Sequence, residues 1–153
     1  SSIIIGREKM NKLSQEEANE LINALKRKIE EKIFYFPHEK GRLEFNVLSD
    51  DEKEFVVNIQ RKGIRNDSCT YQGRLINGTV LMRLDINPTA KHFDKKTGQY
   101  IIGPHLHIYS EEYGNEAIPF DVNNKNLYEL CFEFFKKFNV VELPEIYCQN
   151  GLK

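Results

Sequence analysis

The sequence predicts an α+β domain: a single antiparallel β-sheet of five or six strands, with an N-terminal and a C-terminal amphipathic helix packed on one face. Three observations carry this. A run near each end repeats apolar residues at helical spacing. Between them, successive runs alternate apolar and polar residues with the period of a strand. Short clusters of Asp, Asn, Gly and Pro separate those runs. At 153 residues, 40% hydrophobic and 29% charged, the chain can fill one ordinary core.

Residues 1–10 read as an unstructured arm or a vector-derived remnant, with Met10 a possible natural start, and 11–153 read as the single domain. Ser14-Gln15-Glu16-Glu17 has the form of a capping box, in which Ser14 caps the N3 amide and Glu17 reaches back. Ala18, Leu21, Ile22, Leu25, Ile29 and Ile33 continue at helical spacing, so the first helix is expected to run until Phe36-Pro37. Leu43, Phe45 and Val47 then alternate with polar residues, Asp50-Asp51-Glu52 is a turn, and Phe55, Val57 and Ile59 continue: a hairpin. Cys69 to Ile76 alternates without revealing which set faces the core. Asn77-Gly78 predicts a two-residue hairpin turn into Val80–Ile86. Residues 89–99 read as a polar loop holding His92, and Tyr100–Ile102 leads into the next strand or pairs with it. After a turn over Ser110–Asn115 comes a short strand, Ala117–Phe120. The last helix starts near Asn124. Its stripe of Leu127, Leu130, Cys131, Phe134, Phe135 and Phe138 reads as core, and Asn139 as the C′ residue. Val140–Lys153 reads as a packed extension or loop.

A net charge of −1 excludes a uniformly basic nucleic-acid binder. The charge is uneven, however. Residues 60–110 hold eight basic and three acidic residues, and 111–153 hold four basic and eight acidic. A positive middle suits a phosphate-bearing partner. No apolar run approaches the roughly 18 residues of a membrane span. That leaves no membrane partner expected. The three cysteines, Cys69, Cys131 and Cys148, form neither a zinc pattern nor a disulfide framework, which suggests a reducing cytoplasm.

The chemistry concentrates in Gly103-Pro104-His105-Leu106-His107-Ile108-Tyr109. In a strand, Leu106 and Ile108 face the core, while His105, His107 and Tyr109 share the other face. That face is expected to carry Asn58, Gln60, Arg74, Arg83 and Asp85 too, rimmed by His92. Cleaving RNA through its 2′-hydroxyl needs a base, an acid and cations around the phosphate. The expected catalytic residues are therefore His105, His107, Asp85 and Tyr71, with Asp85 selecting a histidine tautomer. Arg74, Arg83, His92 and Tyr109 are the expected substrate-binding residues. Histidines at i and i+2 can both reach one ion, with Asp85 or His92 as a third ligand. No HExxH and no cysteine pair supports such a site, so no metal and no cofactor are expected.

The run His105-Leu106-His107-Ile108-Tyr109 resembles the alternating signature of histidine-triad nucleotide hydrolases, with Tyr109 in place of the third histidine. Cys69-Thr70-Tyr71-Gln72-Gly73-Arg74, Met82-Arg83-Leu84-Asp85-Ile86 and Pro104–Tyr109 resemble an uncharacterised family of small bacterial and phage proteins across nearly the whole domain. The order Arg83-Leu84-Asp85…Pro104-His105-Leu106-His107 is also similar to TumE-type toxins of the RelE-like class. That resemblance implies a small helix-plus-sheet endoribonuclease of a toxin–antitoxin or phage–host conflict system, with RNA or an antitoxin or host protein as partner. The adjacent histidine pair of those toxins is absent here. The rival expectation is a non-enzymatic, anti-CRISPR-like protein that inhibits a host defence component.

Overall fold

The structure is a computed structural model that describes residues 12–63 and 67–148. The expected arm over 1–10 lies outside the described residues. The fold is mostly β, which corrects the single five- or six-stranded antiparallel sheet. Its elements are α1 (Gln15–Asn23), β1 (Lys26–Lys28), β2 (Ile33–Phe36), β3 (Gly41–Ser49), β4 (Glu54–Arg61), β5 (Cys69–Leu75), β6 (Val80–Ile86), β7 (Lys91–Asp94), β8 (Gln99–Ile102), β9 (His105–Ser110), β10 (Gly114–Pro119), α2 (Leu127–Lys137), β11 (Val140–Glu142) and β12 (Glu145–Cys148). Eight strands form one mixed sheet in the order β10-β9-β6-β5-β4-β3-β1-β11. Two small sheets complete the fold: β2 runs parallel to β12, and β7 pairs antiparallel with β8.

The extra strands come from segments read as helix and loop. The capping box at Ser14 forms as expected. The helix nevertheless stops at Ala24, whose backbone is extended, instead of running on past Ile33. Lys26 explains the stop. Its backbone N–H donates to Asn139 O at 2.8 Å, which recruits the segment into the sheet between β3 and β11. Its fully buried ammonium donates to Ile22 O, Ala24 O and Phe138 O at 2.8–2.9 Å; the first two are carbonyls that a longer helix would have used, and the third ties the segment to the end of α2. Leu25, Ile29 and Ile33, which extend the apolar repeat, end up about half exposed.

The hairpin of β3 and β4 pairs Phe45 with Val57, as the alternation predicts. In β5 the buried set is Cys69, Tyr71 and Gly73. The turn into β6 is longer than two residues. Gly78 N donates to Leu75 O, and only Gly78 of the Asn77-Gly78 pair has positive φ, at 99°. Asn139 takes the left-handed conformation expected of a C′ residue, with φ of 59°. Helix α2 lays Leu130, Cys131, Phe134 and Phe135 on the sheet. With Phe138, Phe45, Phe55, Tyr71 and Leu84 they form the core. Each buried phenylalanine contributes about 1.5–3 kcal/mol.

The opposite sheet face is covered near its β9 end by the β7–β8 hairpin. Residues 89–99 are therefore not a loop. The alternation in β7 is inverted: Lys91 and Phe93 point outward, while His92 and Asp94 point inward. Asp94 anchors the hairpin. Its carboxylate accepts from Thr97 N and Oγ1 and, at 3.4 Å, from Ala117 N on β10. At the hairpin base, Gly103 N donates to Ala90 O.

Candidate functional site

Strand registers lay out the polar face. One cross-strand row runs Glu44–Asn58–Gln72–Arg83–His107, and the next runs Arg42–Gln60–Thr70–Asp85–His105. Leu106 sits on the core side of β9. His105 and His107 face away from the helices and lie under the β7–β8 hairpin, each 4% exposed.

The geometry centres on one atom. Asp85 Oδ2 lies 3.0 and 3.1 Å from Arg83 Nη2 and Nε, 3.1 Å from His107 Nε2 and 3.4 Å from His105 Nε2. Burial alone would raise the Asp85 carboxyl. The hydrogen bonds from His105 and His107 and the Arg83 charge outweigh it and hold the group well below the usual carboxylate range.

The tautomers follow from the partners. The Gly103 carbonyl can only accept, so His105 carries a proton on Nδ1, 2.8 Å away. Asp85 favours a second proton on Nε2 and raises this histidine above the ordinary value, against the opposing effect of burial. His107 Nδ1 lies 3.0 Å from Asn115 Oδ1 and donates to it. Its Nε2 lies 3.0 Å from Arg83 Nη2, which can only donate, and 3.1 Å from Asp85 Oδ2, which can only accept. The neutral ring takes a hydrogen bond from Arg83, and the charged ring gives one to Asp85. His107 thus has a partner ready in either protonation state.

His92 completes the cluster from the hairpin. Its ring stacks on His105 at 5.3 Å between centroids and meets His107 edge-on at 4.5 Å. Burial and the neighbouring His107, His105 and Arg83 lower its pKa. Among the described residues, one ring nitrogen from each of His92, His105 and His107 lies within 4.8 Å of the others.

The structure thus brings together His92, His105, His107, Arg83 and Asp85, and separates the other three expected residues from them. Tyr71 lies on the core face, fully buried. It stacks on Phe134, and its hydroxyl donates to Leu127 O at 2.6 Å. Arg74 pairs instead with Glu44, 3.6 Å away, which also accepts from Asn58. Tyr109 donates its hydroxyl to Leu13 O, just before α1, at 2.7 Å. Sequence reasoning overlooked Asn115 and the Gly103 carbonyl, which orient the two histidines. Asn115 is a diagonal neighbour of His107 across the β9–β10 hairpin, so a correct register would have revealed it. Asp85 also lines a cavity of about 340 Å³, together with Gln60, Lys62, Thr70 and Asn87.

Among the described residues, no helix is long and apolar enough to cross a membrane. No curated protein and no solved structure matches the chain. A family model described as a family of unknown function, DUF6978, matches residues 13–140. That match takes in α1, the whole polar face and α2, so the chain belongs to this uncharacterised family.

Proposed function

We propose that the cluster cleaves RNA, in the manner of RelE-like endoribonucleases of toxin–antitoxin or phage–host conflict systems. One observation carries this reading: a single half-buried carboxylate oxygen, Asp85 Oδ2, gathers two imidazoles and a guanidinium within 3.4 Å. In the proposed reaction, neutral His107 takes the proton of the 2′-hydroxyl through Nε2. The 2′-oxygen then attacks phosphorus, and protonated His105 gives its Nε2 proton to the departing 5′-oxygen. The products are a 2′,3′-cyclic phosphate and a 5′-hydroxyl. Arg83, 38% exposed, steadies the phosphate charge and turns from His107 toward substrate. Asp85 orients the His105 ring and stabilises His107 once it has taken the proton, while Asn115 and Arg83 hold His107 in its neutral form. Arg74 and Tyr71 have no part, because their partners lie elsewhere. The covered histidines require the β7–β8 hairpin to lift before RNA reaches them, and the cavity beside Asp85, with Lys62 on its wall, adjoins the cluster.

The burial of both histidines favours a second reading. In it the network only fastens the hairpin, and the chain is a binding protein that acts on a host defence component. Incubating purified chain with RNA in the presence of a chelator separates the two. The first reading expects cleavage that disappears in His105→Ala and His107→Ala. Intact RNA with folded wild-type chain selects the second.

A further inference from the structure

We infer that His92, His105 and His107 form a three-histidine binding site for a divalent transition-metal ion of the zinc class. This does not rest on the ribonuclease reading: a bound ion occupies the two Nε2 atoms that the reading uses as base and acid, so the loaded chain would not cleave by that route.

Three features point to the ion. First, the rings converge from separate elements, two from β9 and one from the overlying hairpin, with one nitrogen of each within 4.8 Å of the others. Second, the outer nitrogens are already committed. His105 Nδ1 is held by Gly103 O and His107 Nδ1 by Asn115 Oδ1. Both Nε2 atoms therefore turn inward. Metal-bound histidines are oriented in this way, by a carbonyl or similar acceptor on the far nitrogen. Third, three imidazole nitrogens are the protein ligand set of many tetrahedral zinc sites, with water in the fourth position. Bonds of roughly 2.0–2.1 Å put neighbouring donors about 3.4 Å apart, so the three rings draw together on loading. Imidazole nitrogens suit zinc, copper, nickel or iron rather than magnesium or calcium.

Arg83 is the competitor. Its Nη2 lies 3.0 Å from both His107 Nε2 and Asp85 Oδ2, where it supplies the positive charge the donors face. Being 38% exposed, it can turn outward when an ion arrives. The ion would then join the hairpin to the main sheet through His92.

The test is a titration of the chelator-stripped full-length chain with Co(II), followed by displacement with Zn(II) in a calorimeter. The proposal expects one ion per chain, the visible absorption bands of a tetrahedral cobalt site, and a higher Tm on loading. His92→Ala should weaken binding about 100-fold, and Asn115→Ala about 10-fold through the lost orientation of His107. His38→Ala should bind as wild type, and Arg83→Gln should bind at least as tightly. His92 belongs to the covering hairpin and not to the main sheet, so its variant keeps the test usable if His105→Ala fails to fold. Absence of cobalt bands and of binding heat overturns the proposal, as does equal affinity in His92→Ala. The titration contains no RNA and the cleavage assay contains chelator, so each fails separately. Cleavage that appears only on metal loading would replace the acid–base reading and leave the metal site standing.

Discussion

Gly73→Ala is the sharpest test of how the sheet and α2 fit together. A β-carbon at Gly73 would stand 2.5, 2.6 and 2.8 Å from Cε2, Cζ and Cδ2 of Phe138, roughly 1 Å short of ordinary contact. The ring has little room to retreat. It is fully buried, it meets Phe55 edge-on at 5.9 Å, it stacks on Phe134 at 6.0 Å, and the Lys26 ammonium sits 4.2 Å from its centre. Overpacking of this kind costs about 1–3 kcal/mol, and the pinned ring puts the site at the upper end, about 3. Loss of glycine freedom in the unfolded chain returns about 0.4–1 kcal/mol, leaving a net loss near 2 kcal/mol. For a chain of this size that lowers Tm by about 4–8 °C. Urea denaturation of Gly73→Ala, Phe138→Leu and the double variant reads the coupling directly. The smaller side chain should relieve the clash, so the double variant should be more stable than the sum of the single losses by about 1 kcal/mol or more. A Gly73→Ala chain within about 0.5 kcal/mol of wild type, or strict additivity, would refute this packing.

Asp85→Asn removes the charge that holds Arg83 and both histidines. It should cost about 2–3 kcal/mol, less than a fully buried pair because Arg83 reaches solvent. Because the folded-state carboxyl titrates below the unfolded one, the stability it supplies is complete above about pH 5 and is lost as pH falls through the unfolded and then the folded pKa. The acid limb of a pH–stability profile should therefore be shallower in the variant. Burial pushes the Lys26 ammonium down to about 7, so the unfolded chain binds an extra proton between that pH and the ordinary lysine range. Wild-type stability should rise with pH there, relative to Lys26→Met, by at most about 1.4 kcal/mol per unit; parallel urea-melt profiles from pH 7 to 9 would contradict it. Tyr71→Phe should lose about 1 kcal/mol with its hydrogen bond to Leu127 and keep any RNA cleavage unchanged, since the ring lies across the sheet from the histidines.

Much of the fold was legible where local signals agreed with tertiary packing. The capping box at Ser14, the β3–β4 hairpin, the phenylalanine stripe of α2 and the left-handed Asn139 all follow from spacing and turn chemistry. The misreadings share a cause. Lys26 looks like a solvated helix residue, yet contacts 112 positions away, at Phe138, bury it and turn the segment into strand. Periodicity is local and cannot see such partners. Phe93 and His92 look like loop residues because their hairpin buries its polar side and exposes its apolar one. The face of the site was readable from the i, i+2 histidines and the Arg83–Asp85 pair. Its membership was not. Tyr71 shares β5 with Arg74, but strand alternation puts them on opposite faces, and that phase depends on which side α2 covers.

End-group analysis of RNA cleaved by the chain, with chelator present, tests the central claim most directly. The acid–base account predicts fragments ending in 2′,3′-cyclic phosphate and beginning with 5′-hydroxyl, lost in His107→Ala and His105→Ala chains that fold as wild type. Uncut RNA, or fragments bearing 5′-phosphate, would contradict it.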